Sequence, residues 1–583
     1  MRLLYSLRTR ILCSVLLLIS TLLAMGGSIA QDRSTATTAV GQPTLIISTS
    51  KVEQLMASVT YLLRAVNQPE IGGMATMFVN NFSRGLDRSR PMGVAVSMNA
   101  AGNPEPIVML PVSDLKAFFA GLVTFGEPEE LSNGLYTMAI RGQVPVFAKQ
   151  VNNWLIIAQQ EATAKEFNQV PSDLLQSLSS RYDVGVKLDV QSVPAEKRDL
   201  FISEMIGSYQ RSSAGEKARV ERELQKAEAA ATTDQERDVI HGRREGMKVA
   251  EQIQTAQIEQ FADMIKNTKQ IVIGLLSDSA KKQVYLELAS EFIAGSKLDA
   301  QIARSMNAKT DLAGIQSEGQ ALSLSFTDII DPSQIPQLEQ TVSAGIDTML
   351  MATKSSKTDP GIAETIKEVK QVIIKSIQEG IVDGAASVTF QSGLNIVTAS
   401  RVADGKQLAA SLQKAAAAMK PGESTPQIKF NAYTHQGVAI HLGSVKLPND
   451  ADDVARKIFS DTASFAVGTA DKAVYVAIGS QAEVNLKAAI DRGVGKLSSP
   501  GVPMDLKLDV GPLLDYIQTI QPSPLLDAMI QAAQNYSNSD MLTIKSQLVP
   551  HGGVMRITIE EGILRAMGAG AKAGQGNRRG GGF

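Results

Sequence analysis

The sequence predicts an α+β protein made of two tandem copies of one antiparallel-sheet-plus-helices domain, with a charged helical insert in copy one. Three observations predict it. Short runs alternate apolar and polar residues and are separated by turns rather than helices, as over 133–159, which favours antiparallel pairing. Similar strand and helix motifs recur in one order in both halves. Residues 216–251 carry 17 charged side chains in 36 positions, against 20% for the whole chain.

Length supports more than one core. A chain of 583 residues exceeds the roughly 250–300 at which single cores stop growing. With 44% hydrophobic residues and a mean hydropathy of −0.01, the composition excludes collagen, a disulfide-dense miniprotein and full disorder. A net charge of −2 gives no electrostatic drive toward nucleic acid.

Residues 1–30 read as a secretory signal peptide. Arg2, Arg8 and Arg10 precede a short apolar run from Ile11 to Met25, and Ser28-Ile29-Ala30 offers a small-x-small cleavage pattern. The run is shorter than the roughly 20 residues of a membrane span. Cleavage takes three of the 57 basic residues and leaves 54 against 59 acidic ones, a net of −5. It also takes Cys13, the only cysteine, so the mature chain has no disulfide and no thiolate metal site. The expected location is periplasmic or extracellular, with no stable membrane insertion after cleavage.

Copy one is expected over 41–310 and copy two over 317–567. Gly41-Gln42 before Leu45-Ile46-Ile47 matches Gly319-Gln320 before Leu322-Ser323-Leu324. The strands and helix of 94–122 match those of 388–412, and Leu135-Tyr136-Thr137 is set against Ala432-Tyr433-Thr434. Trp154 to Ala158 matches Val474 to Ile478, and Lys187-Leu188-Asp189-Val190 recurs unchanged as Lys507-Leu508-Asp509-Val510. Val284 to Leu288 resembles Met555 to Ile559. Helices are expected at 51–66, 113–124, 161–180, 195–209, 333–352, 361–379 and 405–419.

The insert is placed at 211–259, with no counterpart in copy two. Its pairs Lys217/Glu221 and Arg219/Glu223 have helical i,i+4 spacing, and Thr233-Asp234-Gln235-Glu236 has the capping-box pattern. It is either a projecting arm that contacts an envelope partner or a solvated helix pair on its own domain. Residues 568–583, rich in glycine and carrying Lys572, Arg578 and Arg579, are expected to be disordered.

No residue set commits the chain to a catalytic, cofactor or metal site. Ser113-Asp114-Leu115-Lys116 has the Ser-x-x-Lys spacing of penicillin-recognising enzymes, but copy two has Ala403 at that place and the partner motifs are missing. The bland expectation is a helix cap. His435 and His441 are read as sharing one strand face, too far apart for one ion. Asp450, Asp452 and Asp453 read as helix capping, and Glu127, Glu129 and Glu130 as loop charges. Asn81 and Asn535 open glycosylation-type triplets, a pattern common by chance. The strand methionines Met92, Met98, Met109 and Met138 read as core filling.

The stretch Leu110-Pro111-Val112-Ser113-Asp114-Leu115-Lys116, followed by Asn153 to Ile157, resembles an uncharacterised family of exported bacterial proteins with a Leu-Pro-Val-x-Asp helix start. Copy two departs from it, with Ser400-Arg401 for Leu110-Pro111. The resemblance implies no activity and no site residue. The expected function is a non-enzymatic envelope protein that binds or scaffolds. The alternatives are a carrier with a groove between the copies for an apolar or peptide-like ligand, and a hydrolase with an unrecognised site.

Overall fold

The structure is a computed structural model that describes residues 42–579, apart from 68–72, 74–82, 100–101, 123–127, 133, 139–144, 317–318, 356–359, 391–392, 420–424, 449–450, 494–498 and 537–538. The signal sequence, Asn81, Glu127 and Asp450 lie outside the described residues. The fold is α+β with antiparallel pairing, in two compact units. The first comprises the chain to Phe201 with Thr268–Glu291, and the second Ile202–Asn267 with the chain from Phe292. Among the described residues no helix is long and apolar enough to cross a membrane.

The first unit holds strands β1 (Leu45–Thr49), β2 (Gly93–Met98), β3 (Pro104–Pro111), β4 (Glu129–Ser132), β5 (Leu135–Met138), β6 (Val146–Val151), β7 (Trp154–Ala158), β8 (Val184–Asp189), β9 (Thr268–Asp278) and β10 (Gln283–Phe292). They pair in the order β4-β5-β6-β7-β3-β2-β1-β8-β9-β10. Helices α1 (Val52–Ala65), α2 (Leu115–Leu122), α3 (Glu161–Glu166) and α4 (Pro171–Ser179) connect them. The single helix expected over 161–180 is broken because Pro171 cannot continue an existing helix and instead starts the next. Ile107, Met109, Trp154, Ile156, Leu175 and Tyr182 form one buried cluster. Burial of each such side chain contributes roughly 1.5–3 kcal/mol.

Tyr182 shows how closely this core is built. Its ring lies over Gly274, where a Cβ would fall 2.2 Å from the ring carbons. Its hydroxyl donates to Glu287 at 2.6 Å, and Arg181 Nη2 donates to the same carboxylate at 2.9 Å. Glu287 is 1% exposed, so its carboxyl depends on protein donors such as these in place of water.

Two long helices follow β8. α5 (Ala195–Ala230) and α6 (Asp234–Asn267) form a hairpin, and its residues 202–267 group with the second unit. The segment expected over 211–259 is therefore the distal part of a longer element. The helix foreseen at 195–209 meets no stop signal and continues to Ala230. The capping box forms as read: Glu236 N–H donates to Thr233 Oγ1 at 3.2 Å, and Thr233 N–H donates back to Glu236 Oε2 at 3.0 Å.

In the second unit, α7 (Lys297–Ser305) is capped by Ser296, whose side chain accepts from Asp299 N–H. A two-residue pairing joins β11 (Lys309–Thr310) to β19 (Ser499–Pro500). The main strands are β12 (Leu322–Ile329), β13 (Ile381–Thr389), β14 (Asn395–Arg401), β15 (Gln427–His435), β16 (Val438–Lys446), β17 (Thr462–Thr469), β18 (Ala473–Ile478), β20 (Met504–Asp509), β21 (Met541–Val549) and β22 (Gly552–Glu560). Their order is β15-β16-β17-β18-β14-β13-β12-β20-β21-β22. The helices are α8 (Ile335–Ser355), α9 (Pro360–Gln378), α10 (Gly405–Ala418), α11 (Asp453–Phe459), α12 (Ala482–Gly493), α13 (Val510–Ile520), α14 (Pro524–Gln534) and α15 (Glu561–Arg579). Leu486, Ala489 and Ile490 of α12 and Ile315 of a short 3-10 turn cover the sheet face that carries Ile440, Ala466 and Ala477. Helix α6 of the hairpin runs beside α8.

Three further expectations are corrected. The tail from 568 is helical as far as Arg579, because its small residues let α15 lie against α14: a Cβ on Gly570 would sit 3.1 Å from Met529 Sδ. Glu129 and Glu130 are not in a loop but in β4, facing Thr137 and Tyr136. His435 and His441 do not share a strand. A tight turn at Gln436 (φ 50°) and Gly437 (φ 80°) places them on the two arms of the β15–β16 hairpin.

Candidate functional site

The residues singled out in the sequence fall mostly into structural roles. Asp114 Oδ1 accepts from Ala117 N–H at 3.0 Å and starts α2, while Ser113 Oγ donates to the Gly85 carbonyl at 3.2 Å. Asp404 does the same for α10, accepting from Gln407 N–H at 2.8 Å. Asp452 caps α11 through Ala455 N–H at 2.6 Å. His441 is buried, with Nδ1 accepting from Asn431 N–H at 3.0 Å and Nε2 facing Thr469 Oγ1 at 3.1 Å. Burial holds its pKa below the ordinary value. His435 and His551 pair with Asp491 and Asp299 at 2.6 and 2.8 Å. Asn535 is exposed, and its side-chain amide donates to the Gln531 carbonyl. Among the described residues no group of three or more His, Cys, Asp or Glu side chains has metal-binding geometry.

The hairpin α5–α6 is laced across its two helices. Lys217 pairs with Glu251 at 2.6 Å rather than with Glu221. Arg244 bridges Glu221 at 3.2 Å and Glu228 at 2.7 Å. Leu224 and Ile240 are buried, while most described side chains between them and the turn are exposed. At 1.5 Å per residue, helices of 36 and 34 residues are roughly 50 Å long.

A cleft of about 350 Å³ opens in the second unit. Asp383 of β13, Arg401 of β14 and Tyr475 of β18, on three neighbouring strands, line it together with Gln436, Asp471 and Lys472. Asp311, Leu312 and Ile490 also line it. Asp383 is buried and accepts from Thr327 Oγ1 at 2.9 Å and from Asp311 N–H at 3.2 Å. Burial pushes its carboxyl above the ordinary range. Burial, then Asp311 and Asp383, push the Tyr475 phenol up as well. Arg401 stands 3.6 Å from Asp311 and 3.6 Å from Glu379, too far for direct hydrogen bonds, and its buried Nε has no hydrogen-bond partner. The sequence offered no motif for this cleft, since its residues are scattered from 311 to 493.

A second polar cluster lies where β20 meets β21. Burial first, then the neighbouring Asp509 carboxylate, push Asp540 up to about 6. Asp509 is also raised, chiefly by burial, and its Oδ1 has no hydrogen-bond partner. Backbone closes on Asp540: a Cβ on Gly511 would fall 2.5 Å from Asp540 Oδ2, and one on Gly562 would fall 3.0 Å from its Cβ. That packing makes the pair a stability determinant.

The chain matches no protein-family model, and no curated protein and no solved structure is significantly similar to it.

Proposed function

We propose that the chain is an exported, non-enzymatic envelope protein that binds or scaffolds, built from two copies of one α+β module. In this reading the hairpin α5–α6 contacts a protein partner. The duplication is supported by the ladders. Counted along each unit's ten-stranded order, both read fourth, fifth, sixth, seventh, third, second, first, eighth, ninth, tenth. Most helices fall at matching points, α11 excepted, and the pair α13–α14 takes the place that the hairpin takes between β8 and β9. The hairpin is then an elongated version of a module element, where the sequence suggested an insert without counterpart. One of the sequence matches shifts by a strand. Leu135 to Thr137 lies in β5, whose partner by position is β16, whereas Ala432 to Thr434 lies in β15.

The observation that carries the partner reading is the hairpin itself: long, mostly exposed, and stiffened by ion pairs between its helices as well as along them. Export rests on the sequence of residues 1–30. The test replaces 219–248 with a short Gly-Ser turn, which keeps Lys217 and Glu251 and the part of α6 nearest its base. The trimmed protein should fold, because closure entropy changes slowly with loop length, and should lose the envelope proteins that the full chain crosslinks. Recovery of the same proteins by both would refute the role of the hairpin.

A further inference from the structure

A groove of about 390 Å³ opens on one face of α1 in the first unit. Met56, Ala57, Thr60, Tyr61 and Arg64 stand on that face at helical spacing. Arg88, in the loop before β2, and Ser279, in the turn after β9, complete its described lining. The loop is fixed around Arg88. The Arg88 carbonyl accepts from Glu53 N–H at 3.4 Å, at the start of α1, and Asp87 N–H donates to the Pro111 carbonyl at 2.9 Å. The Asp87 carboxylate accepts from Ser89 N–H at 3.0 Å and Ser89 Oγ at 2.6 Å, and pairs with Arg90 at 3.2 Å. Arg64, in the last turn of α1, is exposed, and Arg88 is half-buried. A cation at that helix end complements the helix dipole, but this role asks for no second arginine in the same lining.

We infer that this groove binds the phosphate group of a small monoester. The charges around it lead to this class. Two guanidinium groups line the groove, and among the described residues its lining holds no carboxylate. The acids nearest Arg88 and Ser279 in sequence are engaged elsewhere. Asp87 has Ser89 and Arg90, and Asp278 has Lys281 N–H at 3.0 Å and Lys281 Nζ at 3.2 Å. Asp183 is buried and accepts from Gln54 Nε2 at 3.3 Å and Ser277 N–H at 2.8 Å. Glu53, at the far end of α1 from Arg64, is not part of the lining. Two positive charges match a phosphomonoester, which carries about −1.5 to −2 at pH 7 and presents three acceptor oxygens. A guanidinium meets phosphate with paired donors, and the hydroxyls of Thr60 and Ser279 add two more. A carboxylate, with one charge and two oxygens, would leave the second arginine uncompensated. The volume falls within the roughly 300–1,000 Å³ of ligand cavities, and Met56 and Ala57 supply apolar wall, so the ester carries a small organic group.

Calorimetric titration of the whole chain with glycerol 3-phosphate at pH 7.5 tests this, beside flotation with phosphatidylcholine vesicles that contain or lack phosphatidic acid. Acetate should bind about tenfold weaker or worse than the phosphate ester, and Arg64→Ala and Arg88→Gln should each cost about tenfold or more, the loss expected for one charged hydrogen bond. Arg64→Ala should keep the melting temperature, since the side chain is exposed; it decides the question if Arg88→Gln fails to fold. Affinity should fall as the pH is lowered from 7.5 to 5, because the phosphate takes up its second proton near pH 6. Heat with the soluble ester and no vesicle retention assigns a free phosphate ester as the source. Retention only with phosphatidic acid, lost in Arg64→Ala, assigns a lipid headgroup. Neither heat nor such retention, equal binding of acetate, or full binding by a folded Arg64→Ala would overturn the inference. The hairpin-trimmed protein should bind as the full chain does, so failure of the partner reading is separately visible.

Discussion

Replacing Asp540 with asparagine should remove a pH dependence of the second unit's stability. Asp540 has a pKa of about 6 against an ordinary 3.8, because burial and then Asp509 disfavour its charged form. A carboxyl raised on folding binds its proton more tightly in the native state. Its contribution is therefore fully present below the unfolded pKa and is lost as pH rises through the folded one. The window runs from pH 3.8 to just above 6. The two pKa values alone set a ceiling of about 3 kcal/mol. Discounted for the solvent near the pair and for sharing with Asp509, roughly 1–2 kcal/mol is expected. The assay is hydrogen exchange of the peptides covering 504–509 and 541–549, with urea melts, between pH 4.5 and 7.5. The wild-type chain should lose protection there as pH rises, after correction for the intrinsic exchange rate. Asp540→Asn should hold its protection across the window. Equal slopes in the two proteins, or rising wild-type protection, would refute the reasoning.

Gly274→Ala should lower the stability of the first unit by about 2–3 kcal/mol, since its Cβ would overlap the Tyr182 ring. Urea melts followed by fluorescence of Trp154, the only tryptophan, report on that unit. Asp114→Ala and Asp404→Ala should each cost about 1 kcal/mol through loss of a helix cap, measured by thermal melts. Serine hydrolase and β-lactam probes should not label Ser113, and Ser113→Ala should melt with the wild type, because its hydroxyl makes one exposed bond to the Gly85 carbonyl. Arg244→Glu should fray the hairpin tip, read as faster exchange in residues 221–244, since it opposes Glu221 and Glu228.

Much of the fold was legible in the sequence because strand periodicity and caps act locally. Trp154 to Ala158, an apolar run matched in the sequence to Val474 to Ile478, is a strand, and Thr233 to Glu236 form the expected capping box. Lys-Leu-Asp-Val recurs where β8 and β20 occupy equivalent places in their sheets. The errors came from long-range terms. Lys217 chose Glu251 over Glu221 because a second helix lay beside it, which i,i+4 spacing does not foresee. The glycine-rich tail reads as disorder by composition, yet small residues are what let α15 approach Met529. The cleft was hidden because Asp383, Arg401 and Tyr475 come together only through the ladders of β13, β14 and β18, and Asp311 joins them through its N–H bond to Asp383.

Envelope crosslinking of the full chain beside the chain trimmed at 219–248 tests the central claim most directly, with both proteins exported at equal levels. The account predicts that specific crosslinked proteins are recovered with the full chain and lost on trimming, while the two melting temperatures agree. An unchanged set of crosslinked proteins would contradict it.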